Sequence, residues 1–421
     1  MSEPLSTDPY KGVRDFYPSD WDRLEAMFAR IRTTLLAWGY EEYGASPLER
    51  AELYEAKTSE EIVSEQTYTF TDRGDRRVTL RPEMTPTLSR MVAGKRRELA
   101  LPLRWFSIGN RFRYERPQKG RLREFYQTDI DLVGLPEGEA DLEIVQLAAA
   151  ILKAFGASDK DFVIRVNSRA LLNAACAAAG LTDDSVKQYL RLLDKKAKMT
   201  PEAFSAASQA ISRKDPLKLI VEASDQNIAR EMQILTDRLA ELKSRGIENA
   251  IFDAGITRGF DYYTGMVFEV FDTNTANPRA LFGGGRYDGL VALWGGDPIP
   301  AIGFALGDVT LGDFLETHGL TPPPGAQTPQ LYLGTPSEDD IPAAQAFASA
   351  LRAEGGRIFV NLTNRSLGDQ VKDAVKRSIP HFVAYGPEEI KTRTVRLKIL
   401  ATGQEVTLPI VELAAHLRTG N

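Results

Sequence analysis

One cysteine in 421 residues, Cys176, rules out an intrachain disulfide and any zinc site built from several thiolates. Its setting in the alanine-rich run LLNAACAAAG fits a small core residue of a helix rather than a reactive thiol. Histidine is nearly as scarce. The three present, His318, His381 and His416, do not lie near the segments dense in Arg, Glu and Tyr, so Ser–His–Asp triads and histidine metal cages drop out, and no protein-built metal site is expected. No stretch reaches the ~18 consecutive apolar residues that a membrane span requires, and MSEPLSTDPYKG at the N-terminus has no apolar leader core. The expectation is a cytoplasmic chain without membrane contact. Positive charge is not in excess either: 52 Lys and Arg against 58 Asp and Glu leave a net charge of −6, so contact with nucleic acid has to be made by local patches. The P-loop pattern is absent, and no Rossmann fingerprint follows a strand.

What is present is organised in pieces. At roughly 150 residues per domain the length suggests about three. SDWDRLEAMFARIRTTLLAWGY (19–40) opens on a Ser/Asp cap and places Leu24, Met27, Phe28, Ile31, Leu35 and Leu36 at helical spacing. TYTFTDRGDRRVTLRPE, LRWFSIGNRFRYE and FYQTDIDLVG read as strands, followed by a helix from Asp141 to Phe155. Strands and helices without a βαβ rhythm predict an antiparallel sheet of the α+β class over 1–164. Residues 165–248, rich in Ala, Lys, Asp and Leu at helical spacing, predict a helical insertion. Strand character resumes over 249–320. TPPPGAQTPQ (321–330) is a proline-rich linker, and 331–421 alternates strand and helix as a small α/β domain.

The most informative stretch is RFRYERPQKGRLREFYQ. It holds Arg111, Arg113, Arg116, Lys119, Arg121 and Arg123 within thirteen positions of an acidic chain. Arg113 and Glu115 share a face of the strand that leads into the loop. A guanidinium there can fork onto a phosphate while the acid orients a second polar group, although an isolated R-x-E is more often a surface pair. With the basic loop beyond it, and Phe125 offering a flat ring for a base, the combination suggests a nucleotide. Glu83 and Thr85 in LRPEMTPTLSR either hold an ammonium group or, for Thr85, cap the next helix. Gln127, Asp129 and Asp131 share one strand face, which means either solvent or a polar pocket. RGFDYYTG adds Arg258, Asp261, Tyr262 and Tyr263, and GGGRYDG adds Tyr287, the second tyrosine and Tyr287 giving hydroxyl-tipped walls suited to a polar ring. Gly283, Gly284 and Gly285 permit close backbone approach or form a tight turn.

FRYERPQKGR with REFYQ, TLRPE, RGFDYYTG and GGGRYDG, in this order and preceded by GVRDFYP at 12–18, resembles the histidyl-tRNA synthetase family of class II aminoacyl-tRNA synthetases over nearly the whole chain. The resemblance implies an antiparallel catalytic sheet, a helical insertion and a C-terminal anticodon-binding domain, with histidine, ATP and tRNA(His) as substrates, Mg²⁺ as cofactor, no DNA partner, and homodimerisation through the segment around Pro47. It implies that Arg113 grips the α-phosphate, Glu115 positions the nucleotide, Arg121 reaches the outer phosphates and Phe125 stacks on adenine. Glu83, Thr85 and Gln127 would hold the amino group of histidine. Asp131, Tyr263 and Tyr287, with Tyr262 beside them, would surround its imidazole. Arg258 would meet the substrate carboxylate and the α-phosphate, and Gln118 and Lys119 would face the acceptor stem.

One departure stands out. The third class II motif normally ends in an arginine that meets the γ-phosphate, whereas AIGFALGDVTLGD presents Asp308, Val309 and Thr310. Another cation, Arg121 or Arg286, would have to serve, or adenylate is not made. The competing readings are a histidine-sensing regulatory paralogue, which resembles the catalytic domain alone, and a tRNA-binding protein with a dead active site.

Overall fold

Alternating side chains in LRWFSIGNRF, EFYQTDIDLV, MVFEVFD and AIGFALG build one large sheet, seen in a computed structural model that describes residues 5–55, 66–118, 120–196, 199–223, 225–258, 262–323 and 328–419. In chain order the strands of this half are β1 (Glu41–Glu42), β2 (Leu48–Arg50), β3 (Tyr68–Thr71), β4 (Arg77–Leu80), β5 (Leu103–Phe112), β6 (Glu124–Val133), β7 (Phe162–Ser168), β8 (Ala250–Phe252), β9 (Met266–Asp272), β10 (Ala280–Arg286) and β11 (Ala301–Gly307). The large sheet runs β1-β5-β6-β11-β10-β9-β7-β8, and β2-β4-β3 form a small one. Its inner pairings are antiparallel; only the outermost pairs, β1 with β5 and β7 with β8, are parallel. The expected α+β class with an antiparallel sheet and flanking helices is what forms, and β6 pairs directly with β11 although well over a hundred residues separate them.

Strand β6 shows how one sequence serves two surfaces. Thr128, Ile130 and Leu132 point to the core side and are fully buried, and the Tyr126 ring meets Phe28 of the first helix, Pro18–Ala37, at 5.6 Å. Each fully buried aliphatic side chain of this kind contributes roughly 1.5–3 kcal/mol of transfer free energy. The alternate residues Phe125, Gln127, Asp129 and Asp131 point to the opposite face, where a pocket opens. The helix Glu139–Ala154 lies buried from Leu142 to Leu152 on most of its surface, as its near-continuous apolar run requires, and packs against β11.

Residues 165–168, assigned from composition to the insertion, are instead the end of β7, paired with β9. The helices begin at Arg169 and comprise Arg169–Ala178, Asp183–Asp194, Pro201–Ile211, Pro216–Glu222 and Gln226–Ser244, with Ser168, Thr200, Asp215 and Asp225 accepting the first free backbone amides. Cys176 is buried in the first of them and burial pushes its thiol up to about 12, consistent with an inert core residue.

A second unit comprises Phe16–Ala26 and Pro323–Asn421. Its five-stranded sheet places Ile358–Val360, Leu331–Gly334 and His381–Ala384 in parallel, then continues antiparallel through Thr394–Ile399 and Glu405–Pro409. Leu331, Leu333, Val383, Leu397 and the helix residues Ala344 and Ala348 make its core. No helix among the described residues is long and apolar enough to cross a membrane.

Candidate active site

The pocket exists because the middle of the sheet carries almost no side chains on that face. Asp131 pairs with Gly303, Gln127 with Gly307, and Gly303 in turn with Gly285. A Cβ on Gly303 would stand 2.2 Å from Asp131 Oδ1, and one on Gly283 would stand 2.4 Å from the Phe268 carbonyl and 3.1 Å from Arg258 Nη1. The glycine triplet is therefore not a turn. It is the central part of β10, stripped so that Arg258 and the rings of the pocket can lie on the strand.

One end of the pocket is a polar cage with aromatic walls. Glu83, buried, accepts a hydrogen bond from the Tyr262 hydroxyl at 3.0 Å, and its backbone carbonyl accepts one from Tyr54 at 3.2 Å. Thr85 opens the helix Thr85–Gly94 at its first position and does not cap it, which closes the capping alternative; it neighbours the Tyr262 phenol instead. The rings of Tyr262 and Tyr263 lie 4.9 Å apart, and Tyr287 meets Tyr262 edge-on at 5.9 Å. Burial raises the pKa of all three phenols, so they stand as neutral hydrogen-bond donors. Tyr287 donates to Asp131 Oδ1, while Asp131 Oδ2 and Gln127 Oε1 are buried without a partner among the described residues. Burial pushes the Asp131 carboxyl up to about 8, against the Tyr287 hydrogen bond, with Asp129 adding to the rise. Orphaned buried acceptors facing a cavity are strong indications of a ligand that donates to them.

The guanidinium groups line the same pocket, with Arg258 against Tyr263 of the cage. Arg113 lies over the Phe125 ring at 5.4 Å and donates from Nε to the Pro82 carbonyl at 3.0 Å. Arg121 pairs with Glu115 at 2.9 Å. Arg258, held at a left-handed φ of 59°, donates to Glu269 at 2.9 Å and to the Gly283 carbonyl at 3.1 Å. A non-glycine residue in that conformation is costly and concentrates at functional sites. Arg113 and Arg258 line the same pocket, together with Glu83, Glu115, Arg121 and Phe125. Gln118 sits exposed at the tip of the basic loop, where its amide and that of Arg121 exchange backbone hydrogen bonds. Lys119 and Asp261 lie outside the described residues.

Several assignments change. Strand β5 ends at Phe112, so Arg113 and Glu115 share the pocket as loop residues, not as neighbours on a strand face. Arg111 awaits no anion: it is fully buried and paired with Asp129 at 2.5 Å, beneath the pocket floor. Arg123 is spent on the Tyr114 ring, 4.1 Å away, and on the Glu115 carbonyl. Arg286 cannot replace the absent motif-three arginine, because it is buried and bonded to Asp141, Asp288 and the carbonyls of Leu135 and Pro136. Glu269, the partner of Arg258, escaped the sequence reading; its only signal was a lone carboxylate in the apolar run MVFEVF.

An antiparallel sheet that carries a nucleotide-sized polar pocket on its glycine-lined face, joined to a separate α/β unit, is the arrangement of a class II aminoacyl-tRNA synthetase. Residues 12–310 match the family model described as histidyl-tRNA synthetase, and 330–419 match that of the anticodon binding domain. A histidine–tRNA ligase of Leptospira biflexa is 39% identical over 99% of this chain and 98% of its own length, and one of Halobacterium salinarum is 37% identical over 96% of each. The crystal structure of histidyl-tRNA synthetase from Nostoc sp. PCC 7120 superposes with a TM-score of 0.78 at 23% identity, covering 98% of this chain and 99% of that one. The chain belongs to the histidyl-tRNA synthetase family.

Proposed function

We infer that the chain is a histidine–tRNA ligase, which activates histidine with ATP to histidyl-adenylate and transfers the histidyl group to the 3′ end of tRNA(His). The observation that carries this reading is one pocket lined by two guanidinium groups, Arg113 and Arg258, together with a buried carboxylate cage, in a chain that matches the family along its length. The regulatory paralogue is disfavoured by residues 330–419, which match an anticodon-binding model and have no use without tRNA.

In the proposed mechanism the histidine carboxylate attacks the α-phosphorus in line, forming the acyl–phosphate bond while the bond to the β-phosphate oxygen breaks and pyrophosphate carries off the electron pair. The terminal ribose hydroxyl of the tRNA then attacks the acyl carbon and releases AMP. Charge grows on the phosphoryl oxygens, so positioned cations rather than a protein base dominate the first step. Arg113 and Arg258 are those cations, with Phe125 beneath the adenine, Glu115 positioning the nucleotide and Arg121 on the outer phosphates. Glu83, Thr85 and Gln127 take the ammonium group. Asp131, Tyr263 and Tyr287 surround the imidazole, with Tyr262 fixing Glu83. Gln118 and Lys119 face the acceptor stem. A Mg²⁺ ion is proposed to arrive on the phosphates of ATP. Mg²⁺ would neutralise phosphate charge there, with Glu115 as the carboxylate at hand. Homodimerisation, a cytoplasmic location, and the division into 1–168 and 249–320 for chemistry, 169–248 as insertion and 331–421 for the anticodon belong to the same proposal.

Histidine-dependent exchange of pyrophosphate into ATP is the expected activity of the purified chain. Arg258→Ala should lower kcat for exchange by about a hundredfold or more with little change in histidine affinity. Histidine binding by the wild-type chain without exchange would support the regulatory reading instead.

A further inference from the structure

The charge around the catalytic pocket leaves one demand unmet. Arg121 is engaged by Glu115 and Arg258 by Glu269, and the helix Asp308–Thr317 offers the pocket only the uncharged Val309 and Thr310 from its first turn. Asp308 itself is buried, accepting from Arg14 at 2.7 Å and from the Tyr126 amide at 3.0 Å. Glu83 and Glu115 add carboxylates to the same walls. An ATP molecule whose α-phosphate sits at Arg113 and Arg258 must send its outer phosphates towards the rim, where repulsion is offset only by whatever cation stands there.

A second cavity of about 390 Å³ adjoins the first and shares Gly120, Leu281 and Thr310 with it. That volume accommodates several waters or a phosphoryl group. Its wall carries Arg279, which is exposed and makes no ion pair or hydrogen bond among the described residues. The backbone beneath this side chain is nonetheless fixed. Two residues earlier, buried Asn277 donates from Nδ2 to Asp272 at 2.8 Å and to Thr317 at 3.0 Å, and the following residue, Ala280, begins β10 and pairs with Phe271. An uncommitted guanidinium on an anchored backbone loses only its own rotamer freedom when it closes on an anion. The bland alternative is a solvated arginine on a hairpin turn.

We propose that Arg279 is a second cation, beside Arg121, that holds the outer phosphates of ATP in this chain, reaching across the shared wall at Gly120 and Thr310. It rests on the ATP-dependent reading above, and it assigns the missing positive charge to a residue outside the motifs that suggested that reading.

The test uses the full chain and its Arg279→Ala, Arg279→Lys and Arg279→Glu variants in histidine-dependent pyrophosphate exchange. Arg279→Ala should raise the KM for ATP roughly tenfold, at the lower end for a hydrogen bond between charged groups because the site is open to water, and leave the KM for histidine unchanged. Arg279→Lys should recover part of the loss and Arg279→Glu should exceed it. In direct titrations Arg279→Ala should weaken ATP but not AMP. An unaltered KM for ATP, an equal loss for ATP and AMP, or a defect confined to the KM for tRNA in the charging reaction would each overturn the assignment. Wild-type chain without any exchange would instead overturn the underlying function.

Discussion

Asp131 is the residue in the pocket whose proton should be easiest to detect. Its folded-state value near 8 lies above the ~3.9 of an unfolded aspartate, so the native protein binds that proton more tightly than the unfolded chain does. The stability this provides is complete below about pH 4 and is lost as pH rises towards about 8. In chemical denaturation of the ligand-free protein, the wild type should therefore lose stability relative to Asp131→Asn by up to ~1 kcal/mol per pH unit between pH 5 and 8. Parallel pH curves for the two proteins would mean that Asp131 is ionised in its pocket. At this scale the sequence showed which side chains could do chemistry but not which were free to do it. Arg111 and Arg113 look alike on the page, yet one is locked to Asp129 inside the sheet and the other borders the cavity, a difference set by the end of β5 at Phe112.

The elements that shape the site do so by what they omit. Gly303 on β11 faces Asp131, so Gly303→Ala should force Asp131 or the β6 backbone to move, destabilise the protein by about 1–3 kcal/mol and raise the KM for histidine. Gly312, in the middle of the helix Asp308–Thr317, has open space where a Cβ would go, and Gly312→Ala should stabilise by roughly 0.5–1 kcal/mol without touching the kinetics. Urea midpoints and exchange kinetics on the pair check both expectations, and equal effects would show that the Gly303 site has room for a side chain. Periodicity predicted β5, β6 and the long helices well, because burial imposes a period on side chains. For GGG it left strand and tight turn both open, since glycine has no side chain to be patterned, and pairing with β9 and β11 decided for the strand.

For the whole molecule, the two units should separate in function. A chain ending at Pro322 should keep histidine-dependent pyrophosphate exchange and lose most of its efficiency in charging tRNA, the loss appearing in the KM for tRNA. Undiminished charging by that chain would remove the anticodon role from residues 331–421. Composition and periodicity by themselves determined the α+β class and a helix-rich stretch ahead of a separate C-terminal α/β segment, since burial and turn chemistry impose local residue patterns, while the ordered motifs carried the resemblance to the family. Only tertiary structure decided where β7 belongs, that Arg286 is internal, that Glu269 serves Arg258, and that Arg279 stands beside the pocket. Those facts depend on which distant strands pair and which side chains then face one another, and no local pattern encodes such proximity.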